Sequence, residues 1–261
     1  MSAPVAIVAA MHEELGALLA RMPDEQRVRA AGRDFWLGHL HGQPVVAVLS
    51  RIGKVAAAVT ATVLLERFGV RAIVFTGVAG GLASGVNVGD VVVASELLQH
   101  DLDASPIFPK YEVPLVGIAR FAADGAIADA LSGVAEDVLR DPVALIGQPA
   151  MDAFGIRAPK VHRGLLVSGD RFVSTSAESA ALRRNLPDAL AVEMEGAAMA
   201  QVCHDYGVPF AAMRTISDRA DDAAHGDFAR FVAEVASRYS LALVDAWLAT
   251  LPSLPESPAA T

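Results

Sequence analysis

The sequence predicts an α/β protein: a single domain with a mixed, twisted β-sheet flanked by helices on both sides. Apolar runs of strand length alternate with helical patterns along most of the chain. Most of those runs are continuous rather than alternating, as expected of strands covered on both faces. An early hairpin signal, His41-Gly42-Gln43-Pro44 between Phe35–Leu40 and Val45–Leu49, makes the sheet mixed rather than purely parallel. No internal repeat or long linker divides the chain, so residues 1–250 are assigned to one domain. Leu251–Thr261, with three prolines, is expected to be a disordered tail.

Val5–Ala10 is the first buried strand, and a helix is expected from about His12 to Arg21. After the hairpin, Lys54–Phe68 is an Ala-rich helix, with Gly69 as its C-terminal stop. Ala72–Thr76 is a strand running into a glycine-rich turn, Gly77-Val78-Ala79-Gly80-Gly81, and Asp90–Glu96 is a Val-rich strand. From His100 to Gly117 there is no period, and a loop that long in a compact domain is usually functional or mobile. A helix at Asp124–Leu139 precedes a second irregular stretch, Asp141–Pro159. Strands at Leu165–Ser168, Leu190–Met194 and Pro209–Ile216 then alternate with helices at Ala177–Arg184, Gly196–Tyr206 and Phe228–Leu248.

Composition narrows the partners. The 261 residues are 53% hydrophobic, enough for a sizeable core, and carry a net charge of -9. An acidic surface repels a phosphate backbone, so nucleic acid is not an expected partner, and a basic membrane patch is absent. Cys203 is alone, which excludes an intrachain disulfide and a multi-cysteine metal site and points to a reducing cytoplasm. The opening MSAPVAIVAAMHEEL lacks basic flanking residues and ends in His12, Glu13 and Glu14, so it reads as a strand and not a signal peptide. No uninterrupted apolar stretch reaches membrane-spanning length.

In open α/β sheets, ligands bind outside the carboxyl ends of the strands. Met11 to Glu14 follow the first strand, and Ser168 to Phe172 follow Leu165–Val167. Glu193, Met194 and Glu195 follow Leu190–Val192, and Ser217-Asp218 follow the last strand. Three exits thus deliver carboxylates directly after a core strand. Each also has a structural explanation. Glu13 or Glu14 could serve a helix dipole, Ser217-Asp218 could cap a helix, and the glycines could only permit a tight turn. Glu193 and Glu195 share one face of a strand, where burial is costly without partners; a salt bridge such as Glu193 with Arg214 accounts for one of them, not both.

The blocks AAMHEEL, SRIGKVAAA, FTGVAGGL, VGDVVVAS, VSGDRFV, VEMEGAA, QVCHDYGVPF and RTISD occur in this order. Together they resemble the bacterial 5′-methylthioadenosine/S-adenosylhomocysteine nucleosidases of the purine nucleoside phosphorylase-like superfamily, from about Val5 to Leu248 and least between Ser105 and Lys160. The resemblance implies hydrolysis of the purine–ribose bond through a transition state with oxocarbenium character. By the same resemblance Asp218, oriented by Ser217, protonates the departing adenine, and Glu14 holds and activates the water. Glu195 binds ribose hydroxyls while Met194 packs on the sugar. Phe172 stacks on adenine, the backbone of Val173 meets its edge, and Ile52 and Phe228 line the ribose and 5′-substituent region. Met11 and Val78 fall at substrate-side positions of the first and third blocks. The loop from His100 to Tyr111 matches one that crosses a dimer interface toward the partner's pocket, so a homodimer is expected. The chemistry requires neither a metal nor an organic cofactor.

Other features weigh less. His100, Asp101 and Asp103 resemble a metal cluster but lack specific ligand spacing; a polar network in the loop is the simpler explanation. Cys203 reads as core and Lys54 as positional or surface-paired. Val78 stands where close relatives often carry Ser, and His12 replaces an acidic residue. The alternatives are a purine nucleoside phosphorylase, which needs converging arginines and to which Arg51 would contribute, a futalosine hydrolase, and a non-catalytic nucleoside-binding protein.

Overall fold

The computed structural model describes residues 3–220 and 228–252. Among them, eleven strands form one mixed sheet in the order β2-β3-β4-β1-β5-β11-β6-β10-β9-β7-β8. The first half contains β1 (Val5–Ala9), β2 (Gln26–Ala30), β3 (Arg33–Leu40), β4 (Gln43–Leu49) and β5 (Ala72–Thr76). The second contains β6 (Val78–Gly81), β7 (Val91–Gln99), β8 (Arg120–Ala122), β9 (Val161–Ser168), β10 (Ala189–Glu193) and β11 (Phe210–Asp218). Strand β1 lies parallel to β4 on one side and β5 on the other. Strand β11 pairs with β5, β6 and β7, so β11, β6, β10, β9 and β7 close into a ring of pairings. The predicted mixed α/β architecture is the one observed.

The continuous apolar runs are explained by burial on two faces. Val5, Ile7 and Ala9 belong to one core cluster and Ala6 and Val8 to the other, as a period of two requires. The first cluster is covered by α1 (His12–Leu19), α3 (Gly125–Val138) and α9 (Ser237–Thr250), through Leu15, Leu131, Leu243 and Trp247. The second is covered by α2 (Lys54–Phe68) and α7 (Gly196–Tyr206), whose Ala57, Ala61, Ala197 and Ala200 sit against the sheet. Helix α2 ends as expected, with Gly69 at φ 58 accepting the left-handed conformation that closes a helix. Asp124 caps α3 by accepting a hydrogen bond from the Ile127 N–H at 2.9 Å.

Several elements differ from expectation. Val78–Gly81 is a strand, not a turn: it pairs antiparallel with β10 and parallel with β11. Ser217 and Asp218 are the last residues of β11 and not a helix cap. Asp141–Pro159 contains two short helices, α4 (Pro142–Ile146) and α5 (Gln148–Ala153), each with proline in its first turn. The hairpin turns at His41-Gly42, both at positive φ, while Gln43 and Pro44 are already in β4. The last helix comprises α8 (Phe228–Phe231), a π turn at Val232–Ala236, and α9. Helix α6 (Ser176–Asn185) lies where a helix is expected. The expected disordered tail falls, from residue 253, outside the described residues. No helix among those described is long and apolar enough to cross a membrane.

Candidate active site

A cleft opens at the carboxyl ends of β1, β10 and β11, beside β6. The structure brings together Met11, Ile52, Val78, Phe172, Val173, Met194, Glu195, Ser217, Asp218 and Phe228 as its lining. Ala10, Ala79, Gly80, Arg171, Val192 and Glu193, which sequence reasoning did not assign to the site, line it too. Glu14 is not among the lining residues; it is buried immediately behind the wall made by Ala10 and Met11.

Strand β11 delivers Asp218. Its Oδ2 accepts a hydrogen bond from the Ser217 hydroxyl at 2.7 Å and its Oδ1 one from the Ala220 N–H at 2.7 Å. These contacts fix the carboxyl plane. Gly80 permits the approach: a Cβ there would lie 3.0 Å from Asp218 Oδ1 and 2.9 Å from Ala220 Cβ. Conformational freedom is not what glycine supplies at this position; absence of a side chain is.

Strand β10 delivers two acids with different fates. Glu193 meets Arg214 Nη2 at 2.7 Å, accepts the Gly196 and Glu195 N–H groups, and accepts the Ser168 hydroxyl. The proposed Glu193–Arg214 pair is present, with both side chains almost wholly buried. Arg214 in turn donates to the Phe75 and Met213 carbonyls and lies over the Phe75 ring. Glu195 receives the Gly53 N–H at 2.8 Å. Burial, then the charge of Glu193, raise its pKa to about 7.

Glu14 occupies the third turn position of α1. Its Oε2 accepts the Met11 N–H at 3.2 Å, and its Oε1 accepts the Ser240 hydroxyl of α9 at 2.9 Å. Ser240 is itself 2.7 Å from the Thr76 hydroxyl, so a chain of hydroxyls stands behind the acid. The helix-start explanation is therefore correct for its contact with Met11, but a capping glutamate does not require 98% burial or Ser240; only 2% of Glu14 is exposed. Burial raises its pKa, against the Ser240 and Met11 hydrogen bonds and the Arg214 charge.

The apolar side of the cleft carries Phe172 and Phe228, whose rings stand edge to face with centroids 6.2 Å apart. Residues 221–227, just before Phe228, lie outside the described set. Lys54 donates to Gln99 at 3.0 Å and Asp101 at 2.6 Å, and Asp101 accepts the Asp170 N–H. That is the polar network expected of this loop. Among the described residues no group of three or more His, Cys, Asp or Glu could hold a metal ion. Cys203 is core, and burial pushes its thiol up to about 12.

The family model for the phosphorylase superfamily matches residues 4–249. Among solved structures, the 5′-methylthioadenosine/S-adenosylhomocysteine nucleosidase of Neisseria meningitidis, complexed with methylthio-immucillin-A, is 35% identical with a TM-score of 0.81; the match covers 96% of this chain and 100% of that one. The S-adenosylhomocysteine nucleosidase of Streptococcus pyogenes, complexed with 5-methylthiotubericidin, is 32% identical with a TM-score of 0.83, over 96% and 98% of the two chains. A mutant of the Helicobacter pylori nucleosidase with 5′-methylthioadenosine in its active site is 29% identical with a TM-score of 0.80, over 96% and 100%. A cleft at the strand ends, with carboxylates on one side and aromatic rings on the other, thus sits on a chain that belongs to the phosphorylase superfamily and, within it, to the family of 5′-methylthioadenosine/S-adenosylhomocysteine nucleosidases.

Proposed function

We propose that the protein hydrolyses the N-glycosidic bond of 5′-methylthioadenosine, S-adenosylhomocysteine or both, releasing adenine and a 5-thioribose product. The observation that carries this is the pair of acids at the ribose side. Glu14 has hydroxyl and backbone N–H partners and Glu195 a backbone N–H, while the nearest buried cation, Arg214, is held by Glu193. Such a site suits a water and an electron-deficient sugar; it would repel a phosphate dianion.

Asp218 donates a proton to the imidazole-ring nitrogen of adenine as the C–N bond breaks, with Ser217 holding the carboxyl in place. Phe172 stacks on the base and the Val173 backbone meets its edge. Met194 packs on the sugar, and Glu195 binds the ribose hydroxyls while its negative charge stabilises the developing oxocarbenium. Glu14 takes a proton from the water that attacks the anomeric carbon. Its raised pKa makes it a stronger base than an exposed glutamate once it is ionised. Its Oε2 is the oxygen available to that water, because the Met11 contact it makes is a long one. Ile52, Phe228, Met11 and Val78 surround the sugar and its 5′ substituent. Two protons change place: one reaches adenine, one leaves the water.

Homodimerisation belongs to the same proposal. Ile52 and Val55 of the α2 region, and Ile107 and Leu115 of the long loop, are each at least 66% exposed, an apolar surface that a second copy would cover. In that dimer the loop from His100 to Tyr111 lies near the partner's cleft. With these substrates the enzyme serves methionine salvage in a reducing cytoplasm, in keeping with its single cysteine.

Adenine release from 5′-methylthioadenosine, S-adenosylhomocysteine and 5′-deoxyadenosine, with and without phosphate, tests the reaction. Turnover in phosphate-free buffer is expected, and a requirement for phosphate would sink the proposal. Light scattering of the purified protein tests the dimer.

A further inference from the structure

A second pocket adjoins the first. It is lined by His12 and Arg51, which are chain neighbours of the cleft residues Met11 and Ile52, and by Arg33, Asp34 and Trp36 of β3. Consecutive Cα atoms are about 3.8 Å apart, so the backbone at Met11–His12 and at Arg51–Ile52 borders both cavities.

Among the described residues its two guanidiniums have no carboxylate partner. Neither Arg33 nor Arg51 forms a salt bridge among the described residues. Arg33 is 8% exposed; its Nη1 donates to the Ala31 carbonyl at 2.8 Å and its Nη2 to the Ala56 carbonyl at 2.9 Å, while Nε is buried with no partner. Burial and the nearby Arg51 charge both lower the Arg33 pKa, so the two guanidiniums repel each other. Asp34 is also under-satisfied. Its Oδ1 is buried without a partner, and its one ion pair, with Arg27, is 3.9 Å long.

Backbone geometry adds a separate observation. Arg51 sits at φ 64, a conformation that glycine adopts freely and a side chain does not. Its Nη2 is tied to the Gly32 carbonyl in the β2–β3 turn, which anchors the guanidinium beside Arg33. Non-glycine residues persist in such conformations where the surroundings hold them, commonly at ligand sites.

We propose that this pocket is a specificity subsite for the zwitterionic α-amino-acid end of S-adenosylhomocysteine, with Arg51 and Arg33 facing its carboxylate and Asp34 its ammonium. The subsite rests on the nucleosidase function proposed above. The homocysteine chain, extended, spans about 5 Å from sulfur to carboxylate carbon, enough to pass the Met11–Ile52 wall. The methyl of 5′-methylthioadenosine cannot reach it. An enzyme with this pocket therefore discriminates by charge as well as by apolar fit.

The test is the ratio of kcat/KM for S-adenosylhomocysteine to that for 5′-methylthioadenosine, in wild type, Arg51→Gly and Asp34→Asn. Glycine suits the backbone at position 51, so that variant is expected to fold, and circular dichroism melts check it. The ratio should fall about tenfold or more in Arg51→Gly, mainly through KM for S-adenosylhomocysteine, and by a smaller factor in Asp34→Asn. An unchanged ratio in both variants would overturn the subsite while leaving the nucleosidase function intact. So would an Arg51→Gly variant that instead loses an effect of added inorganic phosphate, which would make the pocket a site for free anions. Failure of the wild type to release adenine from either nucleoside would overturn the nucleosidase function itself, and the subsite with it.

Discussion

The ends of β1 and β10 both bury carboxylates, and they compensate them differently. At β10, Glu193 has a guanidinium, two backbone N–H groups and a hydroxyl; it is held by the structure. At β1, Glu14 has one hydroxyl and the backbone of Met11 and Ala10, and among the described residues no paired cation. Glu195, two residues from Glu193, has backbone contacts from Gly53 and Met194, likewise no paired cation, and a neighbour of like charge. Identical side chains, similarly buried, are thus divided into one whose charge is paired with a guanidinium and two without such a pair, the two that the proposed reaction uses. The paired cation makes the division, not burial.

Substitutions at these acids, at Asp218 and at their partners test that contrast. Asp218→Asn and Glu14→Gln should lower kcat by about 10²–10⁴-fold each, as loss of a general acid or base does, while thermal melts stay near wild type. Wild-type turnover in either variant would remove that residue from the chemistry. Arg214→Met leaves Glu193 buried without its cation and should cost about 3–5 kcal/mol in urea unfolding. Adding Glu193→Gln should recover much of that loss, because the stranded charge is gone.

Glu195→Gln sharpens the comparison through pH. The folded-state pKa of Glu195 lies above that of an unfolded glutamate, so the native protein binds the proton more tightly. Stability is therefore lost as pH rises from about 4 toward 7, and the penalty is complete above that range. Glu195→Gln should stabilise the protein at pH 8 relative to pH 4 by on the order of 2 kcal/mol, read from unfolding curves at the two pH values. A parallel offset at both would show that Glu195 titrates normally. The smallest effect belongs to Ser240→Ala. It removes the contact that most lowers the Glu14 pKa, so the acidic limb of kcat/KM should move to higher pH, with a loss of less than about tenfold at neutrality.

Much of this was legible beforehand because strand ends are local features. Asp218, Glu195 and Phe172 each follow an apolar run that can be read from neighbours in sequence. What supports them comes from far away. Ser240 reaches Glu14 across 226 positions, and nothing in SRYSLAL marks that serine as different from one on any helix. Fold elements were missed for similar reasons. Gln26–Ala30 is QRVRA, an exposed edge strand with no apolar run to reveal it. Val78–Gly81 carries two glycines and reads as a turn; its strand character comes from pairing with β10 and β11. The helices at Pro142 and Gln148 did leave a signal. Asp141-Pro142 and Gly147-Gln148-Pro149 place proline in a first turn, which three prolines in an irregular stretch obscured.

The pairing of β11 with β5, β6 and β7 also has a consequence for synthesis. The ribosome releases the chain from its N-terminus, at about 5–20 residues per second. Until residue 218 has emerged, β5, β6 and β7 present edges to the gap that β11 will fill, and neither Asp218 nor Arg214 is in place. A nascent chain halted before Phe210 would expose those edges to other chains and invite aggregation. One late strand joins the two halves of the sheet and brings Asp218 in the same step, so the cleft's carboxylates come together only as the scaffold closes.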